Sequence, residues 1–198
     1  GPTREYIDAI RFISTPSSGK MGISVAEEAT ARGAKVTLVY GVGMTSEPPI
    51  DVKCIPITNA DEMMSTVLNE LKRCHCDLFV GTAAVADYTP VEKVSKKIPH
   101  GQKELSVSLK PVPRIIQAVK ENSPDTFVVG FKAEYDIPES ELIDRAYKRI
   151  QESSLDLVVA NDVSKQGVGF STDTNEVYIV NAEKRVVHVN LSTKRDVA

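Results

Sequence analysis

Apolar, β-rich runs recur along this chain with helix-like stretches between them, and that alternation constrains the fold more than any other feature. Lys35–Tyr40 is a β-branched run, and Val52–Ile57 follows it after a loop over Gly41–Pro49. Asp77–Gly81 is continuously apolar, as strands covered on both faces of a parallel sheet are. A strand opens at Phe127 and gives way to loop by Glu134, and Leu155–Ala160 is another buried strand. Between them the spacing predicts helices. Gly22–Arg32 is closed by Gly33. Asn59 or Asp61 can cap a helix that carries Met63, Met64, Val67, Leu68 and Leu71 at i, i+3, i+4 spacing. Pro113 opens a helix through Val119, and Ser140–Glu152 forms another. Alternation of this kind predicts an α/β fold, a mostly parallel sheet with helices on both faces. Glu176–Val180 and Arg185–Val189 flank Asn181–Lys184 and predict a C-terminal antiparallel β-hairpin.

One stretch breaks the rhythm. Residues 92–110 hold Lys93, Lys96, Lys97, Lys103 and Lys110, and Leu105–Leu109 alternates as an edge or exchanged strand would. The lysines fit a solvated face or a flap over a ligand. The 198 residues suffice for one domain with a sizeable core, or one domain plus such an arm. A net charge of −3 argues against a general nucleic-acid or membrane-surface binder. No apolar run approaches the ~18 residues of a membrane span, and no signal peptide is visible. Cys54, Cys74 and Cys76 form no disulfide framework and fit a reducing cytoplasm. Cys74-His75-Cys76 lacks the second ligand pair that a metal site needs.

The stretch Arg11–Gly22 concentrates the chemistry. An apolar Phe12-Ile13 leads through Thr15-Pro16 to Ser17, Ser18, Gly19 and Lys20 at a helix start. Small residues there leave backbone N–H groups free for an anion, and Lys20 adds a cation. The spacing fits neither a Walker loop nor G-x-G-x-x-G, so an ordinary capped helix stands beside the phosphate reading. Polar strand ends at Thr82–Asp87, Gly130–Glu134 and Ala160–Val163 lie where ligands of such sheets bind. Asp87 reads as a ligand-facing acid or a turn cap. Asn161 and Asp162 shape a loop or touch ligand. Tyr88 and His100 are read as structural or flap residues.

The motifs Gly1-Pro2-Thr3-Arg4-Glu5, Ile7-Asp8, Arg11-Phe12-Ile13-Ser14, Ser17–Gly22, Ala83–Tyr88, Val129–Glu134 and Asp156–Val163 come in one order. In that order they resemble phosphopantothenate–cysteine ligase, over essentially the whole chain. The resemblance implies a Rossmann-like three-layer domain, residues 1–198, with residues 92–110 as flap and dimerisation arm. It implies a homodimer with the site completed across the interface, small-molecule substrates, and a cytoplasmic step of coenzyme A biosynthesis. In that family the carboxylate of 4′-phosphopantothenate is activated by CTP or ATP with Mg²⁺, and pyrophosphate leaves. The amine of cysteine then displaces the nucleoside monophosphate. Many members carry a flavin-dependent decarboxylase domain, here a possible partner or fused domain. The family also has a strand before Gly1 and a helix after Ala198, so both ends read as trimmed.

The same resemblance assigns roles. Lys97, opening Lys97-Ile98-Pro99-His100, aligns with the first lysine of the family's flap motif and is assigned to catalysis with Thr15. Ser18, Gly19, Lys20, Ala83, Asp87, Lys97, Pro113, Arg114, Ile115, Ile116, Phe131 and Arg149 are assigned to the nucleotide. Arg11, Thr15 and Ala83 are assigned to the acyl substrate, and Asp87 to the metal. A guanidinium fork suits a phosphate, and a hard carboxylate suits Mg²⁺. The chain departs from the pattern at Thr15, where Asn is usual, at Pro99 and His100, at Arg114, at Lys132 and at Ser153. Two other readings use the same features: a non-catalytic nucleotide-sensing module, and an NAD(P)-dependent reductase. The latter lacks G-x-G-x-x-G and the acid that follows it.

Overall fold

Short apolar runs can only be buried on both faces if helices cover them, and the chain does this in order. A computed structural model describes residues 1–101 and 103–198; Gln102, inside the expected arm, lies outside the described residues. The elements are β1 (Glu5–Tyr6), β2 (Phe12–Ile13), α1 (Lys20–Ala31), β3 (Thr37–Gly41), β4 (Lys53–Ile57), α2 (Ala60–Arg73), β5 (Leu78–Gly81) and β6 (Tyr88–Pro90). There follow β7 (Leu109–Pro111), α3 (Ile115–Asn122), β8 (Phe127–Glu134), α4 (Glu139–Ser153), β9 (Leu157–Asp162), β10 (Thr174–Asn181), β11 (Val186–Thr193) and α5 (Lys194–Val197).

The strands β5, β8 and β9 pair in parallel, and the β10–β11 hairpin adds two antiparallel strands beyond β9. A second parallel pair, β3 and β4, stands apart in hydrogen bonding. Residues 1–4 run between the two groups. The Ala84 N–H donates to the Gly1 carbonyl at 3.2 Å, and the Arg4 N–H donates to the Thr58 carbonyl at 2.8 Å.

Register fixes which residues share a face. Gly81, Gly130, Val158 and Val180 lie side by side across four strands. That face meets α3: a Cβ on Gly81 would stand 2.7 Å from the Cδ1 of Ile116. Helices α2, α3 and α4 form one layer there, over a core of Val128, Val158, Val180, Leu142, Ala146 and Val119. Successive strand residues face opposite ways, so Thr82 and Phe131 point to the other side. There the Thr82 hydroxyl abuts Gly22 of α1, and α1 packs on α5. The three layers and the mainly parallel centre agree with expectation.

Several boundaries differ. Glu5 begins β1, which pairs antiparallel with Phe12-Ile13, a pairing that the sequence pattern did not indicate. Leu105–Ser108 forms no strand; only Leu109–Pro111 pairs, with β6. Alternation creates a strand only where a ladder of bonds forms alongside, and over 105–108 the described residues give a single backbone bond, from the Val91 N–H to the Ser108 carbonyl at 2.9 Å. Strand β9 runs on through Asn161 and Asp162, which are buried. Asn161 donates to the Asn175 Oδ1 at 3.1 Å, and the Asp162 Oδ1 accepts the N–H groups of Asp136 at 3.0 Å and Ser164 at 2.9 Å. Both residues therefore shape the loops here. Asn59, not Asp61, caps α2: its Oδ1 accepts the Glu62 N–H at 2.9 Å while Glu62 reaches back to the Thr58 N–H.

Candidate functional site

The entry into α1 is built to expose amides. Gly19 sits at the helix start with φ 84°, a left-handed conformation that glycine adopts without penalty. No side chain caps the helix, and among the described residues the N–H groups of Met21 and Gly22 donate to no protein acceptor. Ser18 is buried, and its carbonyl accepts the N–H groups of Thr45 and Ser46 at 3.2 and 3.3 Å. Free amides and the positive end of the helix dipole face one point, the arrangement that holds a phosphate.

The loop before β10 closes on this entry. The Ser18 hydroxyl donates to the Phe170 carbonyl, and the Lys20 ammonium donates to the Asp173 carboxylate at 2.6 Å. That ion pair holds the Asp173 carboxyl below its ordinary value. Lys194, the first residue of α5, is 5% exposed and donates to the carbonyls of Gly169 at 2.8 Å and Thr172 at 2.5 Å. Burial pulls its ammonium below the usual lysine range. Two clefts flank the loop. One, of about 380 Å³, is lined by Arg4, Phe12, Thr15, Ser17, Ser18 and Thr45 among others. The other, of about 260 Å³, is lined by Lys20, Ser24, Asp173, Lys194 and Arg195 among others.

The sequence-assigned residues fall into three groups. Thr15, Ser18, Gly19 and Lys20 stand together at α1, and Phe131 points to the same side of the sheet. Asp87, Arg114 and Arg149 form a second group on the α3–α4 side, where Ile115 is buried and Ile116 packs against Gly81. Arg149 is drawn below its usual range by burial and by Arg114, while Glu152 and Asp87 pull the other way. Arg114 and Asp87 are exposed, and Pro113 leads into α3. Ala83 is half-buried against the core, and its neighbour Ala84 carries the backbone bonds to residues 1–3. The third group is the arm: Lys97 is exposed, and Arg11 donates to the Ile98 carbonyl at 2.9 Å. No hydrogen bond or ion pair joins the first two groups among the described residues.

Sequence reasoning placed Asp8 in a family motif without giving it a role, and missed Phe170, Asp173 and Lys194. Asp8 had a legible signal: Asp followed by acceptable turn residues before Arg11 fits an Asx-turn. The others act across more than twenty residues, or through a backbone carbonyl, and have no local signature. No group of three or more His, Cys, Asp or Glu side chains that would hold a metal occurs among the described residues. A single exposed carboxylate such as Asp87 fits Mg²⁺ only where phosphate oxygens complete its shell, which is the usual way that ion is bound.

A three-layer α/β sheet with a bare helix N-terminus at the carboxyl end of its strands defines a Rossmann-like domain. Comparison with known proteins narrows the class. The whole chain, residues 1–198, matches the DNA/pantothenate metabolism flavoprotein C-terminal domain. The chain belongs to that family. It is 42% identical over 200 residues to the coenzyme A biosynthesis bifunctional protein CoaBC of Thermococcus kodakarensis, covering all of this chain and 47% of that protein. The chain thus spans about half the length of such relatives. Among solved structures, the C-terminal domain of a CoaBC protein superposes with a TM-score of 0.80 at 31% identity, covering 100% of this chain and 86% of that one. The DNA/pantothenate metabolism flavoprotein of Streptococcus pneumoniae superposes with a TM-score of 0.86 at 26% identity, covering 100% and 91%.

Proposed function

We propose that this domain is the ligase that joins 4′-phosphopantothenate to cysteine, with activation by a nucleoside triphosphate. The observation that carries the reading is the bare α1 N-terminus with Lys20, inside a chain that matches CoaBC relatives along its full length. The carboxylate attacks the α-phosphorus and pyrophosphate leaves; the cysteine amine then attacks the acyl carbon and the nucleoside monophosphate leaves. Negative charge builds on the phosphates, so preorganised cations and amides are the main catalytic resource. The amides of Met21 and Gly22, with Ser18 and Lys20, would hold phosphate oxygens. Lys97 on the arm would neutralise the transferring group. Arg11 keeps N–H donors beyond the one spent on Ile98 and would meet the phosphate of the acyl substrate, with Thr15 and Ala83 beside its chain. Phe131 would border the nucleotide, with Arg114, Arg149 and residues 113–116 on its far side. Asp87 would hold Mg²⁺, which screens phosphate charge when bound.

CTP is the favoured nucleotide and ATP the alternative. A homodimer fits the arm, which leaves Tyr88, Val91, Val94, Leu105 and Leu109 exposed together along β6, β7 and the segment between them. A flavin-dependent decarboxylase domain would act on the product, in the cytoplasm. No helix of the described residues is long and apolar enough to cross a membrane. The test is to incubate the full-length protein with phosphopantothenate, cysteine, Mg²⁺ and either CTP or ATP. Pyrophosphate and the cysteine adduct are expected in equal amounts, faster with CTP. No pyrophosphate with any triphosphate overturns the reading.

A further inference from the structure

The arm that carries Lys97 has little of its own to hold it. Residues 92–108 form no helix or strand among the described residues, and a long unstructured segment samples many positions unless it is tied down. Among the described residues its end is held beside β6, where the Ser108 carbonyl accepts the Val91 N–H at 2.9 Å, and its other hydrogen bonds to the body of the domain converge on one place, the turn between β1 and β2. The Val94 N–H donates to the Ile7 carbonyl at 3.1 Å. The Ile98 N–H donates to the Asp8 Oδ2 at 3.0 Å, and Arg11 donates to the Ile98 carbonyl at 2.9 Å. Both backbone groups of Ile98, the residue directly after Lys97, are therefore clamped from one turn.

Asp8 is suited to this task. Its side chain has no exposed surface, and each oxygen has a separate duty. Oδ1 accepts the N–H groups of Ile10 at 2.9 Å and Arg11 at 2.8 Å, which closes the turn. Oδ2 takes Ile98 and lies 3.6 Å from the Arg11 guanidinium. These N–H donors, with Ile10 the strongest, hold the carboxyl below its ordinary value against the opposing effect of burial. The turn would form with one oxygen; the second is spent on the arm.

We propose that Asp8 is a positioning residue for the ligase reaction: through the Ile98 N–H, and with Arg11 on the Ile98 carbonyl, it fixes where the arm delivers Lys97. The inference rests on the role assigned to Lys97 under the proposed function. It ties the two substrates together, because the arginine assigned to the acyl substrate is the one that grips the arm. A misplacement of about 1 Å far from the reacting atoms can cost on the order of 100-fold in rate.

Asp8→Asn separates the two duties. Asn keeps the oxygen that closes the turn, and its NH₂ cannot accept from Ile98. In the full-length protein, pyrophosphate release is measured for wild type, Asp8→Asn, Lys97→Ala and the double variant, alongside hydrogen exchange over the arm and thermal unfolding. Asp8→Asn is expected to lower kcat at least about tenfold, with KM for the nucleotide and for phosphopantothenate within about threefold and a fall in the unfolding midpoint that leaves the protein folded at the assay temperature. Exchange at the Ile98 amide is expected to speed up. On the Lys97→Ala background the Asn substitution is expected to add nothing, since the group it positions is gone. Wild-type kcat in Asp8→Asn, with Lys97→Ala inactive, overturns the proposal alone. So does an equal further loss in the double variant. Full activity in Lys97→Ala overturns the role of Lys97 and the proposal with it.

Discussion

Lys194 keeps a charged group almost wholly out of water, and among the described residues its ammonium has as hydrogen-bond partners two carbonyls of one loop. Such burial is tolerated only when donors find acceptors. The loop it grips also supplies the Phe170 carbonyl to Ser18 and the Asp173 carboxylate to Lys20, so one ammonium sets the spacing of the groups beside the start of α1. Lys194→Met fills the space and leaves the carbonyls of Gly169 and Thr172 without that donor. The expected cost is about 2 kcal/mol in urea unfolding, with a rise in the KM for nucleotide several-fold greater than that for cysteine. An equal rise in both KM values would mean that the loop has no particular bearing on the nucleotide. Legibility at this scale follows distance along the chain. Ser18, Gly19 and Lys20 announce themselves because a cap, a left-handed glycine and a cation are local chemistry. Lys194 and Asp173 do not, because a basic residue in a short final helix looks like any solvated lysine until the fold brings residue 169 beneath it.

The elements that mattered most were readable for a similar reason. A buried parallel strand is apolar throughout, so Asp77–Gly81 and Leu155–Ala160 stood out, and their order fixed the layers. The strand ends were not readable. Polarity suggested that the last strand stopped at Ala160, but β8 continues alongside it and pairs Glu134 with Asp162, so the ladder runs on. The alternation of 105–108 misled in the opposite direction, since pattern without a ladder of partners gives no strand. The opening of α1 is the element on which the proposed phosphate binding rests, and Gly19 tests it. Alanine there would need φ near 84°, and its Cβ would lie 2.9 Å from the Cβ of Met44. The left-handed conformation alone costs about 1–2 kcal/mol. Gly19→Ala is expected to lower the thermal midpoint by several degrees and to weaken nucleotide binding, read by isothermal titration, more than tenfold. Native-like nucleotide affinity in a folded Gly19→Ala protein would show that the α1 amides do not hold the phosphates.

Across the whole molecule, cation-paired carboxylates recur, some within one helix and others between elements. Arg32 holds the Glu28 carboxyl low, Lys53 does so for Glu70, Lys20 for Asp173 and Lys165 for Glu176. At Asp162 burial pushes the carboxyl up, but the donors of Ser164, Asp136 and Ile137 outweigh it and the result is low. At Asp8 the turn amides act in the same direction. Every one of these groups has a folded value below its ordinary 3.8 for Asp or 4.5 for Glu. The unfolded chain therefore binds more protons in that region, and stability must rise with pH through it. The contribution is fully present above the ordinary values and is lost as pH falls through the lower, folded ones. Most of the pairs are exposed and individually weak, so the loss is expected to be gradual and shared among α1, α2, β9, β10 and the two loops. The urea midpoint is expected to stay level from about pH 7 to about 5.5 and to decline steadily below about 4.5. Replacing Asp162 with Asn should lower the midpoint at neutral pH, because the turn donors lose a charged acceptor, while making the acid decline shallower. A midpoint that is flat down to pH 3 in the wild-type protein would mean that these carboxylates are no better placed in the fold than in the open chain.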